Sequence, residues 1–274
     1  MTTTITATDV AHQAETVPAL EIRKLVKFFG GLRAVNDFDL VVKQGELAGL
    51  IGPNGAGKTT VFNMISGLYV PSGGRILLGG EDIEGLEPHE ITQLGVGRTF
   101  QNIRLFQNLS VLDNVRIAYH AHAGYNLLDA TVRARRFTIQ ERELTERAQD
   151  FLAIFKLERV QDELARNLPY GEQRRVEIAR ALASNPRLLL LDEPAAGMNP
   201  AEIVTLMDLV HFVRERFNLT ILLIEHQMRF VMGICERISV MDFGEVIARG
   251  TPTEIQDNPR VVEAYLGKGA VRVE

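Results

Sequence analysis

The sequence predicts an α/β fold in which a buried parallel sheet carries a phosphate-binding loop and is interrupted by a helical insertion. Three observations predict it. Leu47 to Ile51, Leu188 to Leu191 and Thr220 to Ile224 are apolar without alternation, as strands covered on both faces are. A glycine-rich octapeptide follows the first of them directly. From Ser110 to about Leu157 strand signals vanish and helix formers dominate.

The elements follow in order. Residues 1–19 are rich in Thr and Ala and lack a charged segment followed by an apolar one; they read as a flexible tail, not a secretory signal. Leu20 to Leu50 is strand-like, with turns at Gly30-Gly31 and Gln44-Gly45. Thr59 to Leu68 reads as a helix, and Arg75 to Leu78 as a short strand bounded by glycines. Val176, Ala179 and Ala183 give the segment before Asn185-Pro186 a helical apolar face. Ala201 to Phe217 has helical length. Ile238 to Met241 and Val246 to Ala248, joined by Asp242-Phe243-Gly244-Glu245, form a hairpin.

Composition narrows the class. The 274 residues are 46% hydrophobic and 24% charged, which suits one large packed core and excludes wholesale disorder. No apolar run reaches the roughly 18 residues of a membrane-spanning helix. A net charge of −5 argues against nucleic acid as partner, and the Arg133, Arg135, Arg136 cluster reads as a solvated helix face. The lone Cys235 excludes an internal disulfide, and its apolar setting predicts a buried thiol.

Gly52-Pro53-Asn54-Gly55-Ala56-Gly57-Lys58-Thr59 matches G-x-x-x-x-G-K-[ST] between a strand and a helix. Glycines let the backbone turn its N–H groups inward, and with the helix N-terminus they form a nest for the β-phosphate. Lys58 would sit between β- and γ-phosphates, the Thr59 hydroxyl on Mg²⁺ and Thr60 near the α-phosphate. Leu188 to Leu191 ends in Asp192 and Glu193, at the sheet edge where α/β folds bind ligands. Asp192 can hold Mg²⁺ through water, and Glu193 can polarise the attacking water.

With these motifs in place, Leu20 to Gly267 resembles an ABC transporter ATP-binding subunit, most of all those of branched-chain amino acid importers. Arg98-Thr99-Phe100-Gln101 resembles the Q-loop, Leu168 to Arg174 (LPYGEQR) the signature segment, Ala195 to Pro200 the D-loop and Glu225-His226 the switch histidine. Gly95 to Phe106 and Asn258 to Gly267 resemble the amino acid importer branch. The resemblance implies a P-loop NTPase nucleotide-binding domain with a helical subdomain and a small antiparallel β subdomain. Its core would be about 20–100 and 181–250, its helical insertion about 101–180, and 251–274 a C-terminal extension.

It also implies ATP and Mg²⁺ as cofactors and a head-to-tail pair, homodimer or heterodimer, closed around two ATPs. Phe29 would stack on adenine; Pro169, Tyr170, Gly171 and Glu172 would meet the partner's nucleotide. Glu193, His226 and Gln101 would serve hydrolysis, with Thr59, Asp192 and Gln101 at the metal. Membrane permease subunits, and through them a solute-binding protein, are the implied partners, at the cytoplasmic face of the membrane. Leu105-Phe106, Leu109 and Val111-Leu112 read either as core or as a groove for a permease helix. Two departures bear on the pair. Pro169 stands where the family has a serine, and Asn199 where it often has aspartate. Two other readings of the same motifs are a soluble mechanical ATPase of DNA repair or translation, and a lipid-exporting transporter ATPase.

Overall fold

The computed structural model describes residues 17–119 and 135–266. The tail up to residue 16, the side chains of the Arg133 to Arg136 cluster and the last residues of the C-terminal extension lie outside the described residues.

β1 (Leu20–Phe29) and β2 (Leu32–Val42) form a hairpin, and β3 (Leu47–Ile51) leads into α1 (Lys58–Ile65). β4 (Gly73–Leu78), β5 (Glu81–Asp82), α2 (Pro88–Gln93) and β6 (Val96–Arg98) follow. The insertion contributes α3 (Val111–Tyr119), α4 (Arg135–Ile154) and α5 (Tyr170–Ala183). The chain then returns through β7 (Leu188–Asp192), α6 (Pro200–Phe217), β8 (Thr220–Ile224), α7 (Met228–Ile234) and the β9–β10 hairpin (Arg237–Asp242, Glu245–Gly250). α8 (Pro252–Gln256) and α9 (Pro259–Leu266) end the described chain.

Two sheets result. The larger has the order β10-β9-β3-β8-β7-β6, parallel except for β10; the smaller is antiparallel, β2-β1-β4-β5. The period of a strand divides the core in two. Leu188 and Leu190 of β7 pack toward α1 and the smaller sheet, with Leu222, Ile224 and Phe62. Leu189 and Leu191 pack the other way, against the insertion and α6, with Phe155, Val176 and Val210. Each buried leucine of β7 contributes about 1.5–3 kcal/mol. The same alternation sends Asp192 to the α1 side.

The helix after the phosphate loop is shorter than its sequence pattern. Gly67 adopts φ 73°, and a Cβ there would stand 2.7 Å from the Leu86 carbonyl oxygen, so the chain reverses before Leu68. β4 begins two residues earlier than read, because Gly73 pairs with Val26. Cys235 is buried, and burial pushes its thiol far above the usual range. The stretch after Gln101 is mostly core: Leu105 and Val111 are buried and Leu112 packs on them, while Phe106 stands half exposed under the Arg180 guanidinium.

Candidate nucleotide site

The parallel strands β3, β7 and β8 end at one edge of the sheet, and the functional motifs follow each of those ends. Between β3 and α1 the chain runs through two positions that only glycine tolerates. Gly52 has φ 149°, and a Cβ would fall 1.9 Å from the Met241 carbonyl oxygen; Gly57 has φ 102°, with the Ala34 carbonyl oxygen at 2.5 Å. α1 has no side-chain cap and no acid in its first turn, which leaves the positive end of its dipole suited to an anion. Lys58 is folded back into this loop. Its Nζ donates to the carbonyls of Gly52 (2.7 Å) and Pro53 (2.8 Å). Burial pulls its pKa down, while the carboxylates of Glu193 and Asp192 pull it up. Thr59 and Thr60 occupy the first turn beside it. Lys58→Ala is expected to weaken ATP binding by roughly ten- to hundredfold, the value of a charge-assisted contact at about 1.5–3 kcal/mol. Titration with a fluorescent ATP analogue checks this.

Asp192 is buried at the end of β7, and its Oδ2 accepts from Arg98 Nη2 at 2.9 Å. Glu193 follows with φ 46°, a left-handed conformation costing about 1–3 kcal/mol, held by its N–H to the Ile224 carbonyl at 2.9 Å. That turn separates the two acids. Glu193 Oε2 accepts from Gln101 Nε2 at 2.8 Å and lies 3.5 Å from His226 Nδ1. Three of the sequence-predicted side chains therefore meet at one oxygen. Glu225 is fully buried and shapes the loop instead. It accepts from the backbone N–H groups of Ala195, His226 and Gln227.

Phe29 ends β1 with its ring partly exposed, edge-on to Tyr69 at 5.3 Å. Asn199 caps α6, its Oδ1 accepting from Ala201 (2.9 Å) and Glu202 (3.0 Å) N–H groups; asparagine and aspartate cap equally well, so the departure leaves this helix start intact.

The signature segment lies elsewhere. Pro169 occupies the N-cap position of α5 and offers no side-chain cap. Pro169 and Gly171 border a cavity of about 630 Å³ with Phe155, Met198, Leu206 and Phe212, and no phosphate-loop residue lines it. Residues Pro53 to Ala56 line a different cleft, facing Phe243 and α9. Tyr170 is exposed, and Glu172 accepts from Arg159.

Sequence reasoning missed two arginines. Arg98 was read only as a neighbour of Gln101, yet it holds Asp192. Arg174 was read as the end of the signature; it is fully buried and donates to the carbonyls of Phe100 (2.8 Å) and Gln101 (3.1 Å). Glu177 completes that clamp, accepting from Arg174 and from the Phe100 and Arg104 N–H groups. Arg174 stands off the helix face formed by Val176, Ala179 and Ala183, so the sequence alone reads it as solvated.

Comparison with known proteins places this arrangement. The family described as ABC transporter matches residues 35–196, and that described as Branched-chain amino acid ATP-binding cassette transporter matches residues 245–271. The high-affinity branched-chain amino acid transport ATP-binding protein BraF of Pseudomonas aeruginosa is 47% identical, over 92% of this chain and 98% of its own. LivG of Escherichia coli K12, described in the same words, is 45% identical over the same shares. The ADP conformation of MJ1267, an ATP-binding cassette of an ABC transporter, superposes with a TM-score of 0.80 at 32% identity, covering 92% of this chain and all of MJ1267. The glycine loop, the paired acids and these similarities agree: the chain belongs to the ABC transporter family, as one of its ATP-binding cassettes.

Proposed function

We propose that this chain is the ATP-hydrolysing subunit of an importer for branched-chain or related amino acids, driving uptake through membrane permease subunits. The observation that carries hydrolysis is the convergence of Gln101 and His226 on Glu193, beside a loop built for phosphates. The solute class rests on BraF and LivG and on the C-terminal match at residues 245–271, which favours import over lipid export or DNA repair.

The donor set suits Mg²⁺, a hard cation taking oxygen ligands and keeping several waters. Asp192 presents a carboxylate with one oxygen left over by Arg98, and Thr59 a hydroxyl at the head of α1; Gln101 lies alongside. Bound there, the ion would neutralise phosphate charge. The chain's own groups do the rest. On ATP binding Lys58 leaves the Gly52 and Pro53 carbonyls for the phosphates, and the loop N–H groups orient them. Phe29 offers its exposed ring to adenine. Glu193 accepts a proton from the attacking water, and His226 contacts the γ-phosphate. Two copies pair head to tail, because Pro169 and Gly171 lie away from their own chain's phosphate loop. The α5 N-terminus, with Gly171, then meets the partner's γ-phosphate, and Pro169 supplies no hydroxyl to it.

Described residues include no helix long and apolar enough to cross a membrane. In this reading the permease holds the chain at the cytoplasmic face, and exposed Phe106 with Arg180 is the docking point on the insertion. The test is co-expression with its permease subunits in proteoliposomes. Leucine, isoleucine or valine uptake is expected to require ATP and a solute-loaded binding protein. ATPase activity indifferent to the permease would overturn the proposal.

A further inference from the structure

Asp192 does not stand alone at the end of its strand. The Arg98 side chain that meets it is about as buried as Asp192 itself, at 7% and 5% exposure. Its guanidinium lies over the rings of Phe62 (5.6 Å) and Phe100 (4.9 Å). One arm, Nη2, donates to Asp192 Oδ2 at 2.9 Å. The other, Nη1, donates to Asn63 Oδ1 at 2.8 Å and Ser66 Oγ at 2.7 Å, in the last turn and at the C-cap of the helix that starts with Lys58 and Thr59. Asp192 N–H donates to Thr99 Oγ1 at 3.4 Å, the residue after Arg98. No hydrogen bond from a described residue engages Asp192 Oδ1. Burial pulls the Arg98 pKa below the usual arginine value, and Asp192 pulls it back.

This arrangement has a functional consequence. A lone carboxylate at a buried strand end would be costly, and a mobile one would offer a cation a poorly aimed oxygen. Arg98 settles both matters with one planar fork, engaging Oδ2 and leaving Oδ1 without a hydrogen bond from a described residue. It also joins the Asp192 strand to the same helix that carries Thr59. A lysine, with a single point charge, cannot make both connections at once.

We propose that Arg98 is the positioning residue of the metal site: it aims the Asp192 carboxylate and locks it in register with the helix bearing Thr59. The proposal rests on the reading of ATP and Mg²⁺ given above. It concerns how tightly the divalent ion is held in the presence of nucleotide, and leaves the phosphate loop's own grip on ATP to Lys58 and the backbone.

The experiment measures two affinities on the full chain: fluorescent ATP analogue in EDTA, and Mn²⁺ in the presence of ATP, by the free-ion EPR signal. Arg98→Gln is expected to weaken Mn²⁺ by about 10- to 100-fold, the usual cost of removing a partner that orients a metal ligand. Nucleotide affinity in EDTA is expected to stay within about twofold, and Arg98→Lys to recover part of the Mn²⁺ loss. Should Arg98→Gln fail to fold, Asn63→Ala with Ser66→Ala keeps the ion pair and removes only the tie to the helix. That pair is expected to weaken Mn²⁺ by about two- to tenfold. Equal losses in both affinities, or unchanged Mn²⁺ affinity in every folded variant, would overturn the role of Arg98. A wild-type chain whose ATP complex holds no Mn²⁺ would overturn the metal reading beneath it.

Discussion

Glu193→Gln is expected to cut ATP turnover by about 10²–10⁴-fold while ATP affinity stays near wild type. The change is isosteric and local. The left-handed turn at Glu193 is set by its backbone N–H on Ile224, which the substitution leaves alone. An amide oxygen still accepts from Gln101, so the loop keeps its geometry. What disappears is the basic carboxylate that the proposed function assigns to the attacking water. Nothing in the phosphate loop is altered, so ATP still binds and the pair closes around it without reopening. Phosphate release and size-exclusion chromatography with ATP read the two halves of this result: slow release, and a dimer that persists. Undiminished turnover removes Glu193 from the chemistry, whatever its contacts.

The sequence made the sheet and the phosphate loop legible because their signals are local. An apolar run names a buried strand, and Gly52 and Gly57 stand where a Cβ would strike the Met241 and Ala34 carbonyls. The paired acids were legible for the same reason, since Asp192 and Glu193 end such a run. The polar partners were not. Arg98 meets Asp192 across 94 residues of sequence, and Arg174 meets Phe100 across 74. Neither pairing leaves a periodic trace, and a single charge in a helix reads as a solvated face until tertiary packing buries it. Glu172 adds a third such pairing, its carboxylate accepting from the exposed Arg159 across 13 residues of sequence. Phe106 and Leu105 are adjacent and both apolar, yet one is exposed and the other core; Asn114 holds the backbone there, accepting from the Phe106 N–H and donating to its carbonyl.

The Arg174–Glu177 clamp yields the largest expected change in stability. Both side chains are essentially fully buried, and Arg174 Nη1 donates to Glu177 Oε2 at 2.6 Å. Arg174→Ala leaves the Glu177 carboxylate in the interior without its cation, at a cost of about 3–5 kcal/mol. Thermal unfolding should fall accordingly, since that is a large share of the ~5–15 kcal/mol holding a domain together. The pH dependence has a definite sign. Burial already raises the Glu177 pKa above its ordinary value, against the pull of Arg174. Without Arg174 it rises further, so the penalty is full above that raised value and shrinks as pH falls toward the ordinary glutamate range, where the carboxyl is neutral. A deficit that does not shrink in acid would show that Glu177 is not its source. Stability and relay are separable here. Replacing both partners by apolar residues, Arg174→Met with Glu177→Leu, removes the orphan charge and should recover most of the melting temperature. It does not restore the bonds to the Phe100 and Gln101 carbonyls or to the Arg104 N–H. The segment carrying Gln101 is then no longer tied to α5. On the proposed function, the folded double variant should therefore hydrolyse ATP yet lose its stimulation by permease, because the Gln101 segment has lost its rigid tie to α5.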